Sequence, residues 1–206
     1  MSPFDAVHFN DKIMKGVFAK IYPVIAEDLL NRCGIRSGLC LDLGGGPGML
    51  AVRLAEISDL QVIVVDPVPE CIELAEENAA EHGRCDQVSA QLGQAEKLNF
   101  AEGSVDLVVS RGSVYFWNDQ AEGFREIYRV LRPGGWAFIG GGFGNAELRD
   151  EILATMADDA EWKSGRAERA AKFPPSYFEE LLAEVGIEGT VDISDRGSWT
   201  IFTKAA

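Results

Sequence analysis

The stretch LDLGGGPGML (41–50) decides the fold. It sets four glycines and a proline in the five positions 44–48, directly behind the apolar run of GLCLDLG (38–44). Glycine loses more conformational entropy on ordering than any other residue, and proline removes a backbone donor. Both stand where a strand ends and the helical pattern GMLAVRLAEI (48–57) begins. Something is therefore expected to approach this backbone closely. Positions 44, 45 and 46, lacking Cβ, would let a ligand touch the main chain at a helix N-terminus, where N–H groups are free.

Outward from that turn, strands and helices alternate. FAKIYPVIAEDLLNRC (18–33) is helical and precedes the first strand; LQVIVVD (60–66) is the second strand, and PECIELAEENAAEHG (69–83) the helix after it, closed by glycine. DQVSAQLG (86–93) alternates as a strand does, and VDLVVS (105–110) is the fourth strand. NDQAEGFREIYRVL (118–131) is a helix with Asn118 as its expected N-cap and Pro133-Gly134-Gly135 as its stop. GWAFIG (135–140) is a fifth strand, followed by a polar helical stretch from Asn145 to about Lys172. PPSYFEELLAEVG (174–186) opens with Pro175 and an expected Ser176–Glu179 capping box. GTVDIS and SWTIFTK, joined by DRG, are too close for a crossover and must pair antiparallel. The alternation predicts an α/β fold with a mostly parallel sheet and helices on both faces. We read residues 1–206 as a single domain, with 1–37 as an N-terminal helical cap and 141–175 as an insert or lid.

The totals fit that reading. The chain has 206 residues, enough for one sizeable domain, of which 47% are hydrophobic and 25% charged. A net charge of -14 argues against a nucleic-acid partner or an anionic membrane, because phosphate binding needs a basic surface. No apolar run is long enough to span a bilayer, and MSPFDAVHFN shows no secretory pattern, so a cytoplasmic protein is expected. Cys33, Cys40, Cys71 and Cys85 lack C-x-x-C spacing, and His8 and His82 are far apart; no metal is expected.

In open α/β sheets, ligands bind beyond the carboxyl ends of the strands where strand order reverses. The dinucleotide fingerprint G-x-G-x-x-G fits at Gly44 and Gly46, but Met49 stands where its third glycine belongs. A P-loop would need Gly-Lys-Ser/Thr, which is absent. Asp66 ends the second strand on the same rim, where a carboxylate can accept hydrogen bonds from ribose hydroxyls; the alternative is a carboxylate facing the next helix N-terminus.

Five segments in register, LDLGGGPG, VIVVDP, GQAEKLNF, SVDLVVSRGSVYFW and EIYRVLRPGGWAFI, resemble the class I S-adenosylmethionine-dependent methyltransferases of the small methyltransferase-domain type. The resemblance implies a Rossmann-like seven-stranded sheet with an antiparallel last strand, S-adenosylmethionine as cofactor, and methyl transfer to a small-molecule acceptor by in-line displacement. It implies that Asp42, Gly44 and Gly46 belong to the cofactor site, with the glycines along the methionine part. Asp66 would hold the ribose hydroxyls, and Pro67 would lie beside the adenine. Gln94 replaces an aspartate that often meets the adenine amino group, and Ala95 and Glu96 would lie nearby. Ser110 would sit below the sulfonium, and Tyr22 would cover the cofactor or simply pack. Arg111 would hold the cofactor carboxylate or an anionic substrate. Tyr115 and Trp117, with Phe116, and also Phe143, would wall the acceptor pocket or join the core. A second cluster, GGGFGN (140–145), is expected either to turn the chain sharply or to leave room for the acceptor. Two other readings remain: a cofactor-binding module that acts through a partner, and a nicotinamide-dependent oxidoreductase.

Overall fold

The computed structural model describes residues 4–205; Met1, Ser2 and Pro3 of the N-terminal stretch read above lie outside it. In chain order the elements are α1 (Ala6–His8), a π-helix (Phe9–Val17), α2 (Ile21–Cys33), β1 (Ser37–Leu43), α3 (Met49–Glu56), β2 (Asp59–Asp66), α4 (Pro69–Glu81), β3 (Val88–Leu92) and β4 (Val105–Arg111). A short 3-10 turn (Val114–Phe116), α5 (Gln120–Val130), β5 (Leu131–Gly141), α6 (Ala146–Thr155), α7 (Ala160–Lys172), α8 (Pro175–Val185), β6 (Gly189–Ser194) and β7 (Gly197–Thr203) follow.

The seven strands lie in the order β3-β2-β1-β4-β5-β7-β6. β1 pairs in parallel with β2 on one side and β4 on the other, while β7 alone runs antiparallel, between β5 and β6. Strand order therefore reverses at β1, and the crevice outside its carboxyl end is the glycine turn.

The two-residue period of β1 sends Leu41 and Leu43 to one face of the sheet and Cys40 to the other. On the first face they meet Phe124, Ile127 and Val130 of α5 and Phe178, Leu181 and Leu182 of α8. On the second face Cys40 meets Tyr22, Leu29, Met49 and Ala75 from α2, α3 and α4. Leu41 has no accessible surface, so truncating it to alanine removes about 2–5 kcal/mol.

Three local expectations are corrected. α5 is capped by Asp119, whose side chain accepts from Glu122 N–H at 2.9 Å, not by Asn118. α5 stops at Val130, before Pro133-Gly134-Gly135; these residues lie inside β5, in the irregularity between the pairs Val105–Leu131 and Leu107–Trp136. The Ser176–Glu179 box does not form: Pro174 occupies the N-cap of α8 without a side-chain bond, and Pro175 opens the helix with the φ it already has.

Gly140 and Gly142 serve the turn of the chain: they are tight against the protein's own backbone. A Cβ at Gly140 would collide with the Ser198 carbonyl, and one at Gly142 with the Arg196 carbonyl. They let the backbone of the β6–β7 turn lie against the end of β5. Segment 141–175 consists of that glycine turn followed by two separate helices, α6 and α7.

Candidate functional site at the glycine turn

Each glycine of the turn answers to a different neighbour. Gly44, at φ 62°, leaves β1 by donating its N–H to Val65 O at 2.7 Å, and a Cβ there would collide with Ser113. A Cβ at Gly45 would lie 2.7 Å from the Asp42 carboxyl carbon. One at Gly48 would lie 3.0 Å from Ala75 and 3.2 Å from Val64, so this glycine seats α3 against α4 and β2. Only Gly46 has room, with Phe9 and Met14 of the π-helix at 3.7 and 3.9 Å. The expectation that a ligand touches the backbone at 44 and 45 is thus narrowed: those two are tight against the protein's own side chains.

Ser113, which the sequence reading did not single out, ties the turn to β4. Its hydroxyl donates to Leu43 O at 2.8 Å and accepts from Trp117 Nε1–H at 3.2 Å. Since that one proton is committed, the 2.6 Å contact with Ser110 Oγ has Ser110 as donor. Ser110, fully buried, therefore keeps only lone pairs to offer. Trp117 packs on Phe124 at 6.3 Å, which places it in the core layer under α5.

Asp66 fastens the rim. Its Oδ2 accepts from Gly46 N–H at 2.9 Å and its Oδ1 from Val68 N–H at 3.0 Å. Burial pushes its pKa up, and those two N–H groups oppose the rise. Each oxygen retains an acceptor site beyond these bonds. Pro67 follows directly on the rim.

Across the turn lie Tyr22, Asp42 and Arg111. Tyr22 and Asp42 are each 1% exposed, yet Tyr22 Oη and Asp42 Oδ2 have no hydrogen-bond partner among the described residues. Burial pushes the Asp42 carboxyl up to about 7; the Ala51 N–H opposes this, and the Asp66 charge adds to it. Burial likewise pushes the Tyr22 hydroxyl up to about 12 against the pull of Arg111. The Arg111 guanidinium lies 4.8 Å from the Phe18 ring centre and 5.5 Å from that of Tyr22, and donates to Gly142 O at 3.1 and 3.3 Å. Phe143 packs edge-on to Phe18 at 6.1 Å.

The remaining expected residues divide. Ala95 is buried near Gly123, and Gln94 is exposed in a small turn with Lys97. Glu96 is engaged elsewhere: its Oε1 accepts from Asn118 N–H at 2.6 Å and Asp119 N–H at 3.2 Å, bracing the start of α5. Tyr115 stands in an aromatic group with Phe173 at 5.6 Å and Phe178 at 6.2 Å.

The roof over the turn was also missed. Asn78 Nδ2 donates to Asn10 Oδ1 at 2.9 Å and to Pro47 O at 2.7 Å, locking the π-helix to α4 and to the turn. Asn78 interrupts the apolar stripe Cys71, Ala75, Ala79 at helical spacing, and that interruption was the available signal. Among the described residues no three His, Cys, Asp or Glu side chains converge as a metal site does, and no helix is long and apolar enough to cross a membrane.

A family profile described as a methyltransferase domain matches residues 41–139. An uncharacterized methyltransferase of Mycobacterium tuberculosis is 39% identical over 114 residues, 55% of this chain and 43% of that protein. A demethylmenaquinone methyltransferase of Chlorobaculum parvum is 34% identical over 106 residues, 52% of this chain and 42% of that protein. The chain thus matches less than half the length of these curated relatives. A solved structure from Methanococcus maripaludis, assigned as an S-adenosyl-L-methionine-dependent methyltransferase, superposes with a TM-score of 0.94 at 40% identity, covering 100% of this chain and 96% of that one. Full-length likeness at that identity, with the reversal of strand order at a glycine turn and an acidic residue ending β2, settles the family: the chain belongs to the class I S-adenosylmethionine-dependent methyltransferases.

Proposed function

We propose that this protein transfers the methyl group of S-adenosylmethionine to a small organic acceptor bound at the carboxyl rim of β4 and β5. The observation that carries the reading is the pair of buried, unpartnered polar atoms, Tyr22 Oη and Asp42 Oδ2, beside the glycine turn. Leaving such atoms unsatisfied costs about 1–3 kcal/mol each, a cost that a polar ligand there removes.

The residues present fit the cofactor. Asp42, poised near neutrality, suits a cationic ammonium; Arg111, held by Gly142 O and flanked by two rings, suits a carboxylate. Asp66 has acceptor sites left for sugar hydroxyls, and Pro67 and Ala95 offer apolar surface for a base. Gln94 would reach the base edge only by turning inward, and Glu96 is not included. Ser110, whose proton is committed to Ser113, presents lone pairs, which favour a positively charged neighbour. When bound, the cofactor supplies an electrophilic methyl group on a positive sulfur. The chain's own work is then to align the acceptor and keep water out, and alignment alone is worth several powers of ten in rate. Tyr115 and Phe143 stand on either side of that rim as acceptor walls, while Trp117 packs on Phe124 in the core layer under α5.

The small-molecule class is supported by the demethylmenaquinone methyltransferase among the relatives and by a charge of -14, which disfavours nucleic acid. Two titrations and one screen test the reading. Calorimetry should detect S-adenosylhomocysteine and not NAD. Labelled-methyl transfer should then appear with at least one member of a panel of phenols, carboxylates, amines and thiols. Binding without transfer to any member would favour a cofactor-binding module, and binding of NAD alone an oxidoreductase.

A further inference from the structure

α7 is built as a strap. It has 13 residues, about 20 Å of helix, and none of them is buried. Trp162 at its start packs on the sheet layer that contains α2 and α3, while Phe173, just past its end, is buried in the opposite layer with α5 and α8. A helix anchored in both layers has to cross over the sheet, and Phe116 and Tyr115 beneath it place the crossing at the carboxyl end of β4.

Its inward face is defined by burial. Trp162, Gly165 and Arg169 are half-buried and Phe173 is buried, at the spacing i, i+3, i+7, i+11 of one helical stripe. Arg169 is the one charged residue on that stripe. Its guanidinium stands 5.5 Å from the Phe116 ring centre, and Gly165 gives it room, since a Cβ there would lie 3.1 Å from Arg169 Nη1. The Tyr115 hydroxyl feels both Arg169 and Arg111, which pull its pKa down against the larger effect of burial. Tyr115 thus lies within the electrostatic reach of a cation on the strap and a cation at the end of β4.

Arg169 has no carboxylate partner and no side-chain hydrogen bond among the described residues. Nine of the 19 lysines and arginines form no ion pair among those residues, and among the four on α7 only Arg169 lies on the half-buried stripe. A solvent-facing arginine is satisfied by water. One half-buried on the stripe of α7, standing over the exposed Phe116 ring beside Tyr115, is placed to receive an anion at the edge of the rim, and its planar fork matches a carboxylate or phosphate.

We propose that the methyl acceptor carries an oxyanion group, carboxylate or phosphate, gripped by Arg169 from the α7 strap, with its apolar body against Tyr115 and Phe173. This rests on the reading of the β4 rim as the acceptor site. Arg169 acts as a specificity-determining residue and takes no part in holding the cofactor.

The test uses the full chain loaded with S-adenosylhomocysteine and three probes of one shape: benzoate, phenyl phosphate and neutral benzamide, followed by ligand-observed NMR titration. Benzoate or phenyl phosphate should bind at least about tenfold more tightly than benzamide. Whichever of the two anions is preferred identifies the group. Arg169→Gln should abolish the preference, and Arg169→Lys, which keeps the charge without the fork, should retain part of it. S-adenosylhomocysteine affinity should stay within about twofold in both variants, which also shows that they fold. Equal binding of benzamide, no binding of either anion, or a preference that survives Arg169→Gln overturns the proposal while leaving methyl transfer intact. Failure of S-adenosylhomocysteine to bind the parent protein instead overturns the underlying function, and this proposal with it.

Discussion

Asn78 reaches from the apolar face of α4 to donate to Asn10 at 2.9 Å and to Pro47 O at 2.7 Å, so that one buried amide joins the N-terminal roof, the fourth helix and the glycine turn. Replacing Asn78 by alanine strands two buried acceptors and should cost about 2–3 kcal/mol of stability. The loss should concentrate in the roof. Amides of residues 9–17 should exchange faster with deuterium, by at least tenfold, while those of β1 keep their protection. Uniform loss of protection would mean that the roof does not open separately.

Gly44 and Ser113 should couple. Gly44→Ala places a methyl group against Ser113 and forces alanine to φ 62°, so it should be strongly destabilising. Ser113→Gly removes the clash but also the bond to Leu43 O. In urea melts, the double variant should therefore be more stable than Gly44→Ala alone, although less stable than the parent. A double variant no better than Gly44→Ala would show that backbone conformation, not the collision, dominates.

Asp42 should give stability an unusual slope. Its carboxyl is pushed up to about 7 by burial, whereas in the unfolded chain it titrates near the ordinary aspartate value of about 4. Between those values the folded state holds the extra proton. Stability therefore falls as pH rises from about 4 to about 7, by at most about 4 kcal/mol from this group, and levels off above. Asp66, also raised by burial, adds slope of the same sign. Asp42→Asn should flatten the profile without abolishing it. Denaturant melts across that range decide the matter; an unchanged slope would remove Asp42 as its source.

Two acidic residues on the same rim should part company. Asp66→Ala should weaken S-adenosylhomocysteine binding by about ten- to a hundredfold, since it deletes the anchor of Gly46 as well as the free acceptor sites. Glu96→Ala should lower the melting temperature by loosening the start of α5 and leave that affinity nearly unchanged. Thermal melts paired with calorimetry separate the two effects.

Much of this was legible in the residues. Strand and helix periods and the turn LDLGGGPG were enough for the parallel sheet, for the antiparallel pairing at its end, and for setting the glycine turn and Asp66 on one rim. Apart from two helix caps, what escaped reading involved partners distant in sequence. That Gly44 exists because of the Ser113 side chain, or Gly140 because of the Ser198 carbonyl, is a matter of distant segments meeting after folding, which no local pattern encodes. The bonds of Glu96 were hidden for a related reason: a carboxylate next to an expected site looks the same in sequence whether or not it accepts from two amide groups at a helix start. The caps of α5 and α8 shifted because Asp119 and Pro174 competed for those roles with residues of equal local merit.

The position of β7 has a consequence for biosynthesis. β5 is complete by residue 141, but the strand that covers its open edge spans residues 197–203, so a growing polypeptide on the ribosome carries an unprotected β edge rich in aromatic residues for over fifty further residues of elongation. During that interval β5 is available to other nascent chains, and chaperone demand should peak there and fall once β7 has emerged.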